Sequence, residues 1–429
     1  MFKSWNIVFL LAVLFTVLSC DKNETDSIPV IEMESPVENQ LFGVVDTIRV
    51  RANISDERLI TNIQVVLVNE GFIPVAMARS FQPNSSSYNL DINYYLEDST
   101  LESGNYYILV KAENETRFKN KYTKIRLAGE AERLREVIVV TGNGEHITVS
   151  RVDSSQTVSP FFSVDCNYAA SAVSGKYNHF YLAGKTIISL RAYSMQDNSV
   201  EWNVPPVVSP PIHNNNCLYA DEYVFATYNS LYIRGYDDKG SVVFTTNITS
   251  HDKPGAVISL NDYLLVDMQK QNTAAVPELV TYYVQSGLKK QERETQFEVS
   301  GFFRYSDDKV FIAANNGDTG QLYIYDIKYD AIEYLAGLPG RIESADLIDS
   351  ERVIIGTEND LYIYNYSTLQ LISFANDIEV DIIRFESLNG DLYISSGKEL
   401  KRFQFPAMQL KNTYSFEDTI KNVHLLYNK

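Results

Sequence analysis

Cysteine is nearly absent from this chain: Cys20, Cys166 and Cys217 are its only thiols in 429 residues. So few cannot build a disulfide framework, and a chain this long must be held by buried apolar surface instead. Cys166 and Cys217 could pair in an oxidising compartment, and burial of each as a free thiol is equally open. Histidine is sparse as well, and His146, His179, His213, His251 and His424 are too dispersed for the short spacing of a zinc site. Positive charge is short: 37 Lys and Arg face 55 Asp and Glu, for a net charge of −18. Such a surface repels phosphate backbones, so nucleic acid is excluded as a partner. There is no Gly-x-Ser-x-Gly, no phosphate loop and no helix-borne metal motif. Neither a cofactor nor a metal is expected.

Aromatic residues are abundant: 29 Tyr and 21 Phe against 2 Trp, within a hydrophobic content of 45%. Tyrosine and phenylalanine without leucine-rich or alanine-rich heptads favour strands, and the length suits two or three domains. The chain reads as all-β. Its first twenty residues are different. Lys3 precedes an apolar run from Ile7 to Val17, too short for a comfortable membrane span, and "VLSC" ends at Cys20. This resembles a bacterial lipoprotein signal peptide, residues 1–19, with a lipobox of Leu18, Ser19 and Cys20. The resemblance implies cleavage before Cys20 and its acylation, two or three acyl chains giving stable membrane anchoring. Residues 20–27, "CDKNETDS", form a polar acidic tether. An acidic stretch after the lipidated cysteine resembles the surface-export signal of Bacteroidota lipoproteins; an Asp beside that cysteine resembles the inner-membrane retention signal of enteric bacteria. The acidic, tyrosine-rich mature chain favours the first, and hence an outer-membrane, surface-exposed cell-envelope protein.

From 28 to 129, "TIRVRANI", "NIQVVLVN", "SYNLDINYYL" and "GNYYILVKAEN" alternate apolar and polar residues between Asn, Asp, Gly and Pro. Period-two alternation buries one face and wets the other, as in a two-sheet sandwich. The stretch resembles the immunoglobulin-like or fibronectin type III modules of bacterial surface lipoproteins. That resemblance implies a spacer or partner contact.

Residues 130–429 repeat. The motif "LYIY" and its relatives place anchors at Ile147, Ile188, Leu231, Leu279, Leu322, Leu361 and Leu400, roughly every forty residues. Before each anchor runs a continuously apolar segment such as "VIVV", "FYLA" or "VIIGT", suited to strands packed on both faces. Four strands per unit is the grammar of a β-propeller blade, so seven blades are expected. The first unit begins at "REVIVV" without an inner strand, and the last is followed by a surplus strand, Ile420 to Asn428. Closure of the ring then requires the surplus strand to fill the gap. Units such as "YIRGYDDKGSVVFTTNI" resemble quinoprotein-like propellers; the Gly-His and Trp-Asp pairs of WD40-like repeats do not recur.

Residues just before the inner strands should line one mouth of the channel. Tyr168, His213, Asn214, Asn215, Asn216, His251, Arg341, Glu343 and Asp381 are the candidates for binding there. Arg304, Asp346 and Arg384 alternate in sign on successive inner strands. Charges between packed blades must pair or reach water, so these three are read as an interblade ion cluster, or more sharply as an anion or sugar-acid site. Asn315, Asn316 and Asp318 are read as hairpin chemistry rather than a calcium loop. The sequence thus points to a lipid-anchored, non-catalytic propeller that binds protein or glycan, with a carbohydrate-active or other hydrolytic propeller as the alternative.

Overall fold

The computed structural model describes residues 27–96, 101–185, 187–208, 211–212, 214–229, 232–248, 252–270 and 276–428. Cys20 and most of its tether, His213, His251 and the anchor Leu231 lie outside them. The chain divides into two compact units between Ala131 and Glu132.

In the first unit a three-stranded sheet, ordered Val30–Ser35, Thr47–Ile60 and Ser85–Tyr95, faces a five-stranded one. The five run Gln40–Gly43, Phe118–Ala128, Gly104–Glu113, Asn62–Val68 and Arg79–Phe81, and only the first pair is parallel. Thr47–Ile60 shows why the residues choose this form: Ile48, Val50, Ala52 and Ile54 are buried while Arg49, Arg51, Asn53 and Ser55 between them are exposed. Those four meet Ile63, Val65, Leu67, Ile108, Val110 and Ile125 from the other sheet in one core. Tyr94 is fully buried there, and its hydroxyl is satisfied by accepting from Leu67 N at 3.2 Å and donating to Met77 O at 2.9 Å.

In the second unit the described residues form seven four-stranded antiparallel sheets. Their innermost strands are Tyr168–Ser174, Asn214–Ala220, Asp252–Leu260, Glu298–Arg304, Ile342–Leu347, Ile382–Glu386 and Ile420–Tyr427. Each lies beside the next, and Ile420–Tyr427 lies beside Tyr168–Ser174, so the succession is cyclic. The unit is a β-propeller. Six of the sheets are simple meanders. The seventh joins the ends of the unit: Ile420–Tyr427 pairs antiparallel with Leu134–Gly142, bringing Val423 opposite Val139 and Leu425 opposite Val137. The surplus strand therefore takes the place expected of it.

The second strands carry the packing between sheets. In Arg352–Thr357 five consecutive residues are buried, and in Lys309–Asn316 six are, because both faces are covered. Phe311, Ala313, Val353, Ile355 and Tyr364 share one such interface. The repeated aromatic motif supplies large members of these interfaces, Tyr364 of this one and Tyr325 of another, both fully buried. Six of the seven anchors can be placed, and Ile147, Ile188, Leu279, Leu322, Leu361 and Leu400 are all buried. At Asn316 the chain turns back to Thr319 through Gly317, whose φ of +60° suits a tight hairpin.

Candidate functional site

Five inner strands carry a register shift within their opening residues, at Tyr168/Ala170, Asn214/Asn216, Pro254/Val257, Val299/Gly301 and Ile342/Ser344. A bulge leaves backbone groups without ladder partners, and buried groups of that kind must find others. Side chains from the preceding sheet supply them. Asn216 Nδ2 donates to Gly255 O at 3.1 Å, and Asn315 holds Ile342 from both sides, accepting from its N at 2.8 Å and donating to its O at 3.0 Å. Beyond them Ile383 N donates to Ser344 Oγ at 3.0 Å and Phe385 N to Asp346 Oδ2 at 2.8 Å. Asn214 Nδ2 donates to Ser189 O. The polar residues of the mouth thus fasten neighbouring sheets.

This girdle absorbs several of the expected binding residues. Tyr168, Asn214, Asn215 and Asn216 are the opening residues of inner strands rather than loop residues. Asn215 is the extra residue of its bulge. Arg341 stays on the surface, 3.0 Å from Glu298 Oε2, with a second donation to Gly317 O at 3.2 Å. Glu343 is exposed. Asp381 closes a turn, its Oδ2 accepting from Gly397 N at 2.6 Å. His213 and His251 fall outside the described residues.

The three residues expected to form an ion cluster make no ion pair with one another, and Arg304 lies apart from the other two. That residue ends its inner strand, exposed, and binds Asn261 Oδ1 at 2.8 Å and Asp307 Oδ1 at 2.7 Å. Strand alternation of sign could not reveal that a local turn would claim the guanidinium. Asp346 and Arg384 do share an environment, together with residues that the charge pattern missed. Arg384 donates from Nε to Val423 O at 2.8 Å, from Nη2 to Asn422 Oδ1 at 2.9 Å and from Nη1 to Ile383 O at 2.7 Å. Burial raises the Asp346 carboxyl above the usual range, and Arg384 works against that shift. On the neighbouring strand His424 Nε2 lies 2.7 Å from Ser171 Oγ, which lies 2.8 Å from Tyr168 Oη. Asp346, Arg384, Asn422, His424, Ser171 and Tyr168 therefore run across four consecutive inner strands.

A serine hydroxyl on an imidazole has the geometry of an activated nucleophile. Its electrostatics are those of a fastener. Burial, reinforced by the Arg384 cation, lowers the His424 ring from the ordinary 6.5 to about 3, so it is a weak base and its protonated form is disfavoured. Ser171 itself is only 4% exposed. Cys166 and Cys217 are free, buried thiols, and burial pushes them up to about 11 and about 12, which leaves little thiolate to react.

A cleft of about 520 Å³ opens between the sheets of Val242–Asn247 and Asp252–Leu260. Within it Lys270 Nζ lies 2.9 Å from Asp252 Oδ1 and 2.7 Å from Glu278 Oε2. Burial opposes the ammonium charge, and the bonds from Glu278 and Asp252 outweigh it, so the group is raised. Sequence reading missed this cleft because its residues come from different strands; the lysine interrupting the apolar run "YLLVDMQK" was the available signal. Among the described residues no group of three or more His, Cys, Asp or Glu is placed to hold a metal.

No family model matches the chain, and no curated protein does. Among solved structures, apo AztD from Citrobacter koseri is similar with a TM-score of 0.49 and 8% identity, over 67% of this chain and 96% of that one. BamB from Moraxella catarrhalis gives 0.43 and 12%, over 67% and 92%. The WD40 β-propeller domain of Doa1 gives 0.48 and 11%, over 66% and 96%. Likeness at this level concerns the fold alone; the strand order and the cyclic succession of inner strands are what make this unit a β-propeller.

Proposed function

We propose that this chain is a lipid-anchored protein of the bacterial cell envelope, held by Cys20 in the outer membrane and exposed at the surface. An immunoglobulin-like sandwich acts as spacer or partner contact, and a closed seven-bladed propeller presents a non-catalytic surface to a protein or glycan. The observation that carries the non-catalytic reading is the use to which the axial polar groups are put. From Asn214 to Arg384 their hydrogen bonds tie one sheet to the next, and the Ser171–His424 contact is electrostatically unsuited to general-base work. The rim is open to a protein or glycan partner, including the exposed Arg341–Glu298 pair and the cleft around Lys270.

Two experiments test the two halves. Labelled palmitate fed to cells expressing the full chain is expected in the wild type and absent from Cys20→Ala, with surface protease digesting the wild type on intact cells. The purified chain, offered polysaccharides and their chromogenic glycosides, is expected to bind without cleaving. Turnover abolished by substitution of a channel carboxylate would establish the hydrolytic alternative instead.

A further inference from the structure

Among the described residues of the inner strands, Arg384 is a cation whose bonding is incomplete by its own chemistry. A guanidinium has five N–H donors in a planar fork. Arg384 commits three of its nitrogens to single acceptors, Val423 O, Asn422 Oδ1 and Ile383 O, and each of its two terminal nitrogens keeps a second hydrogen. Among the described residues no carboxylate lies within 4.0 Å of it. Asp346 is the acid it feels, but that carboxyl is turned to backbone, accepting from Phe385 N at 2.8 Å and Leu347 N at 2.9 Å, and its burial disfavours ionisation.

The neighbours are neutral donors or acceptors. His424 is held uncharged, and Tyr168, raised to about 12, keeps its phenolic hydrogen. Tyr168, Asp346, Arg384, Asn422 and His424 are each crowded by protein and yet each retains accessible surface, as residues lining a narrow solvated bore do. Arg384, Asn422 and His424 lie inside their inner strands, Asp346 is next to the end of its own, and Tyr168 opens its own. A half-buried cation with two free donors, beside a hydroxyl and within a largely uncharged wall, is complementary to a planar anion. We infer that the bore is a carboxylate-binding site, in which the guanidinium of Arg384 receives the anion and Tyr168, Asn422 and His424 shape the cavity around it.

The shared chemistry is the carboxylate; its source is either a small free acid or the acid group of a uronate sugar. The site rests on the closed-ring reading of the propeller, and on neither the lipid anchor nor the rim. The full chain in detergent at pH 7 and low ionic strength is titrated with sodium acetate, sodium glucuronate, glucose and sodium chloride, followed by calorimetry and thermal unfolding. Saturable binding and a rise in Tm are expected with a carboxylate and not with glucose or chloride at equal concentration. Response to acetate and glucuronate alike assigns a general acid site; response to glucuronate alone assigns a sugar-acid site. Arg384→Gln is expected to weaken the response at least tenfold. Because Arg384 also holds the closing strand, Arg384→Lys provides a variant that keeps the charge and loses the fork, with binding again expected to weaken at least tenfold and the far-ultraviolet spectrum unchanged. No carboxylate-specific response in the wild type, or an undiminished one in folded Arg384→Lys, overturns the proposal. Amide exchange of Ile420–Tyr427 distinguishes the two failures: protection there with no binding removes only the site, whereas absent protection removes the closed ring as well.

Discussion

The two units solve the same problem, burying strands, in different ways. In the sandwich strands such as Thr47–Ile60 hide one face, so polar residues stand in water; the pair Arg49 and Asp91, 2.7 Å apart, has side chains 60% and 49% exposed. In the propeller second strands are covered on both faces, and polar groups are drawn inside with them. Asp391 has a side chain 1% exposed and is clasped by Arg402 and, at 2.6 Å, by Lys411. The same ion-pair chemistry is therefore marginal in one unit and structural in the other, because removing one partner of a buried pair strands a charge in a poor solvent.

The largest break in this comparison comes from deleting residues 420–429. The propeller loses the strand that completes its first sheet, and its cooperative unfolding transition is expected to vanish while amide exchange of the sandwich strands stays slow. Survival of the propeller transition would refute closure. Asp391→Ala comes next, with an expected cost of about 3–5 kcal/mol by denaturant unfolding.

Acidity sharpens the contrast. His424 falls from 6.5 to about 3 on folding, so between those values the unfolded chain holds the extra proton and stability is lost as pH drops. Asp267 rises from 3.8 to about 7 through burial, so between those values the folded chain holds the extra proton and stability is lost as pH climbs. Each contributes a slope of at most about 1.4 kcal/mol per pH unit, and the two oppose between pH 3.8 and 6.5. In denaturant titrations at several pH values, Asp267→Asn should therefore gain stability with rising pH more steeply than wild type, and His424→Gln should lose it. Parallel profiles for all three would count against both assignments. The smallest effect is that of Asp91→Ala in the sandwich, whose denaturant midpoint is expected to move least of all and to move less still as salt is added.

Much of this architecture was legible in the residues. Period-two alternation in "TIRVRANI" reports one buried face, the recurrence of "LYIY" reports a repeated sheet, and a strand too many at one end with one too few at the other reports the pairing of Ile420–Tyr427 with Leu134–Gly142. Burial of apolar surface is nearly local in its code. Polar fastening is not. Ser171 meets His424 across 253 positions, and Asn315 grips the backbone of Ile342 in the next sheet at a bulge that no side-chain pattern announces. Arg304 failed as a cluster member because it ends its strand exposed, where Asp307, three residues on, and Asn261 take the guanidinium. The site was thus readable as a list of polar residues near an axis, and unreadable as a set of bonds.

The pairing of Ile420–Tyr427 with Leu134–Gly142 also sets an order of events. A ribosome delivers Leu134 long before Tyr427, and during that interval the leading sheet presents an apolar flank with unpaired amides. Every nascent chain that stops short of Ile420 is consequently an open arc, and emergence of Ile420–Tyr427 converts it into a circle. A truncation that removes Ile420–Tyr427 therefore injures a sheet begun almost three hundred residues earlier.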